Sequence, residues 1–170
     1  MIVIGVDEAG RGPLAGAVVA GAVAFPYEFK LEGLTDSKKL SDKKREELYE
    51  LITNECFWTF AQSNSREIDQ INILEATMLA MKRAVDQLKA QLNKKEEVFS
   101  VLVDGNRCPQ IKNCQAIVKG DLLEPVISAA SVIAKVTRDR QMIELDQMYP
   151  EYGFARHKGY GTKEHLEALS

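Results

Sequence analysis

The opening run Ile2-Val3-Ile4-Gly5-Val6-Asp7-Glu8-Ala9-Gly10-Arg11-Gly12 limits the fold more than any other stretch of the chain. Ile2 to Val6 are apolar or small and read as a buried strand, and two carboxylates stand where that strand should end. Adjacent acids at the end of a buried strand are costly unless a cation or a basic partner compensates them, because an unpaired carboxylate carries a large desolvation penalty. Strand alternation puts Asp7 on the face of Val3 and Gly5 and Glu8 on the opposite face. The two converge on one site only where the backbone turns, which Gly10 and Gly12 permit, so alternation favours Asp7 over Glu8.

The rest of the chain supplies the elements that would surround such a strand. Ala17 to Phe25 is a valine-rich run of strand length closed by Pro26, and Asp36 to Leu40 is a polar loop. Ser41 is a good N-cap for a helix running to about Asn54, and Cys56 to Gln62 reads as a strand with aromatic content. Asn72 followed by Glu75 resembles a capping box that opens a long helix to about Leu92. Ile71, Leu74, Met78, Met81, Val85, Leu88 and Leu92 recur along it at steps of three and four. A coiled-coil seam would need a longer repeat, and alanines flank the stripe, so a core helix packed on a sheet is expected. Val98 to Val103 is a further buried strand and ends in Asp104-Gly105, and Gln115 to Lys119 is a fifth, ending at Gly120-Asp121. Pro125 opens a helix through Val126 to Lys135 whose small residues allow close approach to the sheet. A glycine-rich loop spans Gly153 to Gly161, and Thr162 can cap a terminal helix. Three strands before the long helix and two after it predict an α/β fold with a mixed sheet, built as one domain over residues 1–170.

Three of these strands end in carboxylates: Asp7-Glu8, Asp104 and Asp121. Sites in α/β sheets collect at the carboxyl ends of strands. Acidic clusters without nearby histidine favour hard, oxygen-preferring cations such as Mg²⁺ or Mn²⁺. A pair of such ions, about 3.5–4 Å apart, suits phosphodiester cleavage. Each acid alone could merely cap a strand or turn; the three places together point to a metal site. Gly10-Arg11-Gly12-Pro13-Leu14-Ala15 formally fits a dinucleotide-binding fingerprint, but the following run reads as a strand where that motif needs a helix. Asp7 and Glu8 would also repel a pyrophosphate. A net charge of −3 excludes a binder of nucleic acid that works by bulk positive charge, while a local basic surface remains open. Cys56, Cys108 and Cys114 lack C-x-x-C spacing, which favours reduced cytosolic thiols over zinc or disulfides. No run approaches the about 20 apolar residues of a membrane span, and the start lacks the pattern of a signal peptide, so a cytoplasmic protein is expected.

Taken together, six motifs resemble the signature of prokaryotic ribonuclease HII, in that family's order and across nearly the whole chain. They are Gly5 to Pro13, Asp36-Ser37-Lys38-Lys39-Leu40, Val103-Asp104-Gly105, Lys119-Gly120-Asp121, Ser128 to Arg140, and His157-Lys158-Gly159-Tyr160-Gly161-Thr162. The resemblance implies a ribonuclease H-like fold with a five-stranded mixed sheet flanked by helices. It implies endonucleolytic cleavage of RNA paired to DNA on the 5′ side of a ribonucleotide, leaving 3′-hydroxyl and 5′-phosphate ends. Asp7, Glu8, Asp104 and Asp121 match the family's four acidic metal-site positions. Gly10-Arg11-Gly12 matches the loop that contacts the ribose 2′-hydroxyl, and Tyr160 matches the tyrosine that stacks on the following deoxyribose. Type III relatives usually carry Gly-Lys-Gly in that loop and a large N-terminal substrate-binding domain; Arg11 and a start at the first strand favour type II.

Glycines let backbone groups approach a sugar, and the 2′-hydroxyl is the group that tells RNA from DNA. Lys38, Lys39, Arg138 and Lys158 are candidate phosphate contacts, and His157 and His165 lack ligand spacing. The expected partners are RNA/DNA hybrids and DNA duplexes containing ribonucleotides, bound by a monomer. Family members usually continue past His165-Leu166 with a further basic segment, so this sequence, ending at Ser170, reads as the catalytic core without that extension. The rival readings are another metal-dependent nuclease or strand-transfer enzyme of the same fold, and a non-catalytic metal-binding module for nucleic acid.

Overall fold

The structure, a computed structural model, describes residues 1–10, 16–31, 40–92 and 98–148. The Gly153 to Gly161 loop, the Thr162-capped helix, Arg11, Gly12, Lys38, Lys39, Lys158 and Tyr160 lie outside them.

The apolar opening run forms β1 (Ile2–Ala9), and the valine-rich run forms β2 (Val18–Ala24), every residue of which is buried. These two pair antiparallel, and β3 (Phe57–Ser63) extends the pairing beyond β2. On the other side β4 (Phe99–Asp104) runs parallel to β1, and β5 (Cys114–Ile117) runs parallel to β4. The order β3-β2-β1-β4-β5 is the mixed five-stranded sheet expected from the sequence, with β1 at its centre.

Helices cover both faces. Ser41 caps α1 (Asp42–Glu55) as read from the sequence, its Oγ accepting from the Lys44 N–H at 3.1 Å. The α2 helix (Ser65–Leu92) covers one face of the sheet, where Ile4, Val6, Val18 and Ala20 meet Ala76, Ala80, Met81 and Val85. Its alanines sit against the strands, so the stripe is a core face and not a coiled-coil seam. On the opposite face lie a short helix, α3 (Gly120–Leu123), and the long α4 (Pro125–Met148), with α1 packed beside α4. Val23, Leu48, Ile52, Ile127, Ala130 and Ile133 form that second core. Arg140 ties α4 to α1, pairing with Glu46 at 2.9 Å and lying 4.4 Å over the Tyr49 ring.

Several element boundaries differ from the sequence reading: α4 runs on beyond Lys135 to Met148, and two further differences bear on the argument. The α2 helix starts at Ser65, not at Asn72, because Asn64 and Glu67 form a capping box of their own. Asn64 Oδ1 accepts from the Glu67 N–H at 2.9 Å while Glu67 Oε1 accepts from the Asn64 N–H at 3.1 Å. Asn72 then breaks the helix with φ 73° and ψ 166°, and recaps it by accepting from the Glu75 N–H at 3.0 Å. The cap read at Asn72 is real but lies at a kink inside a longer helix. A non-glycine residue in that backbone region carries about 1–3 kcal/mol of strain. Asn72→Ala should therefore keep the strain, lose the cap and cost about 1 kcal/mol. Asn72→Gly relieves the strain and gives up only a few tenths of a kcal/mol as a cap, so its stability should equal or exceed that of the parent. Chemical denaturation of the two variants checks the opposite signs.

The second difference concerns Asp121. The fifth strand ends at Ile117, and Lys119 takes the left-handed conformation with φ 58°, which turns the chain out of the sheet. Asp121 consequently stands in the first turn of α3 and not at a strand end.

Candidate metal centre

Parallel pairing sets the site. Val6 lies opposite Val103, so the next residues, Asp7 and Asp104, leave the sheet side by side at the carboxyl ends of its two central strands. Both belong to the sheet face covered by α4, the face that Gly5 also presents, as alternation requires. The α3 turn delivers the third acid: the Asp121 N–H donates to Asp104 Oδ1 at 3.3 Å. The α4 helix anchors that turn, since the buried Ser128 hydroxyl donates to the Asp121 carbonyl and the Ser131 hydroxyl donates to the Ser128 carbonyl at 2.9 Å. The sequence shows these serines as small residues that let a helix approach the sheet, but not their hydrogen bonding.

One carboxylate oxygen from each of Asp7, Asp104 and Asp121 lies within 4.8 Å of the other two. Glu8 stands just outside that set. Its side chain reaches the Asp7 carboxyl, and its backbone N–H donates to Asp7 Oδ1 at 2.8 Å. Asp7 is only 6% exposed, and burial pushes its carboxyl well above the ordinary carboxylate range. The charges of Glu8 and Asp104 and the side-chain contact with Glu8 push it further, while the backbone N–H of Glu8 pulls the other way. Converging oxygens, negative charge and burial all fit a hard divalent cation, which would supply the missing positive charge. The residues that would hold it are Asp7, Asp104 and Asp121, with Glu8 adjacent.

The other sequence candidates divide. Gly10 follows β1 with φ +92°, a turn close to the acids that glycine accommodates. Arg138, a candidate phosphate contact in the sequence, is 2% exposed on α4, and its side chain takes the space beside Gly10. Sequence shows that a residue is charged, and it does not show that the charge is buried. Cys56, Cys108 and Cys114 are free thiols; burial and the adjacent Cys108 push Cys114 up to about 12. Among the described residues no helix is long and apolar enough to cross a membrane.

The comparisons with known proteins converge. A sequence model of the ribonuclease HII family matches residues 4–170. The ribonuclease HII of Polynucleobacter asymbioticus is 58% identical over 169 residues, covering 98% of this chain and 85% of that protein. That of Coxiella burnetii is 56% identical over 171 residues, covering 99% of this chain and 82% of the relative. Among solved structures, the ribonuclease H2 of Pyrococcus horikoshii superimposes with a TM-score of 0.77 at 29% identity, covering 99% of this chain and 85% of that one.

Proposed function

The chain belongs to the ribonuclease HII family and is a type 2 ribonuclease H, and from that premise we propose that it hydrolyses the RNA strand of RNA/DNA hybrids and cuts on the 5′ side of ribonucleotides embedded in duplex DNA. The observation that carries the reading is the convergence of Asp7, Asp104 and Asp121 at the ends of the two central strands and the adjoining α3 turn. Asp7, Asp104 and Asp121, with Glu8 beside them, would hold the metal, Mg²⁺ or Mn²⁺. Bound there as a pair, such ions would supply activation of a water and neutralisation of charge on the leaving oxygen.

The protein's own groups do the rest. The Asp121 N–H and the Glu8 N–H fix the orientation of Asp104 and Asp7, so each carboxylate meets the metal preorganised. Gly10, Arg11 and Gly12 bring backbone groups against the ribose and read its 2′-hydroxyl. Tyr160 stacks on the deoxyribose that follows and holds the junction in register. Lys38, Lys39 and Lys158 neutralise phosphates of the duplex, the sequence-independent part of the affinity. The protein acts as a monomer in the cytoplasm.

A labelled DNA duplex with one embedded ribonucleotide, incubated with Mg²⁺ or Mn²⁺, tests the reading. A single cut on the 5′ side of the ribonucleotide is expected, together with none in the matched all-DNA duplex and none in chelator. Cleavage of both duplexes would overturn the proposal in favour of a general nuclease. Binding without turnover under either metal would leave a non-catalytic module.

A further inference from the structure

We infer that Cys108 and Cys114 are a redox-active pair, which a hydroperoxide oxidises to an intrachain disulfide and a dithiol reductant restores. Both are free thiols at rest, six residues apart in the crossover that carries the chain from β4 to β5. The fifth strand runs parallel to β4 and begins opposite Val101, so the crossover must return from Asp104 toward the start of β4. Two tight turns bring it back. The Ile111 N–H donates to the Pro109 carbonyl at 2.8 Å, and Asn113, with φ 56°, turns the chain into the sheet. The Val101 N–H donates to the Asn113 carbonyl at 2.9 Å and fixes that end. The folded-back chain sets the two thiols side by side, where their side chains hydrogen-bond to each other.

The surroundings divide the work between them. Cys108 lines an open cavity of about 370 Å³ beside α2, with Ile71, Met78 and Arg107, so a small oxidant reaches it. Cys114 starts β5 and packs, like Ile111, against the core under α2. Burial and the neighbouring Cys108 push its thiol up to about 12, so it keeps its proton at neutral pH. Cys108 therefore reacts first. Its sulfur takes the terminal oxygen of the hydroperoxide, the O–O bond breaks, and the alcohol (water, from hydrogen peroxide) leaves with the thiol proton. Cys114 then attacks the sulfenic sulfur; the S–O bond breaks, water leaves with the second proton, and the S–S bond forms. Two electrons pass from the thiols to the peroxide. Cys56 takes no part, because it ends α1 and packs against the core on the opposite face of the sheet. The new bond closes the connection between the strand that ends in Asp104 and the strand that leads to the Asp121 turn.

The crossover offers a direct readout, because trypsin cuts after Arg107, Lys112 and Lys119. The peptides Cys108–Lys112 and Asn113–Lys119 then travel together only if a disulfide joins them. The full chain, reduced and held in chelator, is treated with hydrogen peroxide, alkylated and digested. The two peptides should appear as one species, two hydrogens lighter than their sum, that dithiothreitol separates. Cys56 should be alkylated throughout, and Cys56→Ser should leave the linked species unchanged. In Cys114→Ser, Cys108 should instead be trapped by dimedone as the sulfenic acid. Mixtures of reduced and oxidised glutathione then measure the equilibrium constant of the bond. It should be at least about tenfold larger in the native protein than in guanidinium chloride, because the fold holds the two thiols in contact.

Several results overturn the inference. Three alkylated thiols after peroxide exposure would mean that the pair does not react. Cys108 carried to the sulfinic acid while Cys114 is still alkylated would mean that the two sulfurs do not meet. A disulfide from Cys56, or one between two molecules, would mean that exposure and not the contact selects the partner. An equal or smaller equilibrium constant in the native protein would mean that short spacing in the sequence, and not the fold, makes the bond.

Discussion

Asp7→Asn should remove turnover and raise the melting temperature of the metal-free protein at neutral pH. The loss follows from the position of Asp7, which contributes to the three-carboxylate set and sits deepest in it. An amide keeps the shape and one oxygen but not the charge that holds a divalent cation. Several kcal/mol of charge stabilisation lost, at about 1.4 kcal/mol per tenfold, gives a rate reduction of roughly 10³-fold or more. The gain in stability has its own cause. The folded Asp7 carboxyl titrates well above the ordinary range because it is buried beside Glu8 and Asp104. Below the ordinary carboxylate range both the folded and the unfolded chain hold that proton, and Asp7 contributes no pH dependence. As pH rises through the window up to the raised value, the unfolded chain releases its proton first, and stability falls. Above the window the full penalty remains. Asn carries none of it, so the variant's advantage should be absent in strong acid, grow across that window and then level off. For a chain of this size each kcal/mol moves the melting temperature by about 2–4 °C. Mg²⁺ or Mn²⁺ should reverse the order by stabilising the parent and not the variant. Near-normal cleavage by the variant, or a melting temperature that falls at neutral pH, would remove Asp7 from the metal centre.

The sequence carries the sheet and the acids because both are written in local pattern. Ile4 to Val6 and Val18 to Ala24 are buried in β1 and β2, and a carboxylate at the end of such a run has few reasons to be there. What depends on a neighbour in space is not written that way. Asn72 shows its cap, and Asn64 with Glu67 carries the same spacing eight residues earlier, but that the two caps belong to one kinked helix is decided by the fold. Asp121 follows a strand-like run, yet the left-handed turn at Lys119 moves it into a helix. That turn is also what lets it reach Asp104. Arg138 lies in a motif rich in small residues, and only the fold shows that its charge is buried. Alternation places Glu8 on the face opposite Asp7, and among the described residues it remains outside the set of three while touching Asp7.

Gly5→Ala should be the most destabilising single-methyl change in the strand that carries Asp7. In the sequence Gly5 is only a small residue within an apolar run. In the fold it is where α4 lies directly on the sheet. A Cβ there would stand 2.3 Å from the Val126 carbonyl oxygen, 2.4 Å from its carbon and 2.7 Å from the Ile127 nitrogen. These are backbone atoms in the first turn of α4, and no rotamer change relieves them. The helix must move outward, opening the packing of Val126 and Ile127 over β1. Overpacking usually costs about 1–3 kcal/mol, and a clash with backbone on this scale belongs at or above the upper end. At about 3 kcal/mol the melting temperature should fall by roughly 6–12 °C. The displacement also reaches the site, because the same turn of α4 leads to Ser128, whose hydroxyl holds the Asp121 carbonyl. Cleavage by the folded fraction should therefore drop together with stability, and saturating metal should recover only part of it. Thermal melts with and without Mn²⁺, alongside single-turnover cleavage well below the melting temperature, separate the two effects. Full activity per folded molecule would show that α4 can lift from β1 without disturbing Asp121, and that the Ser128 anchor is not what sets the third acid in place.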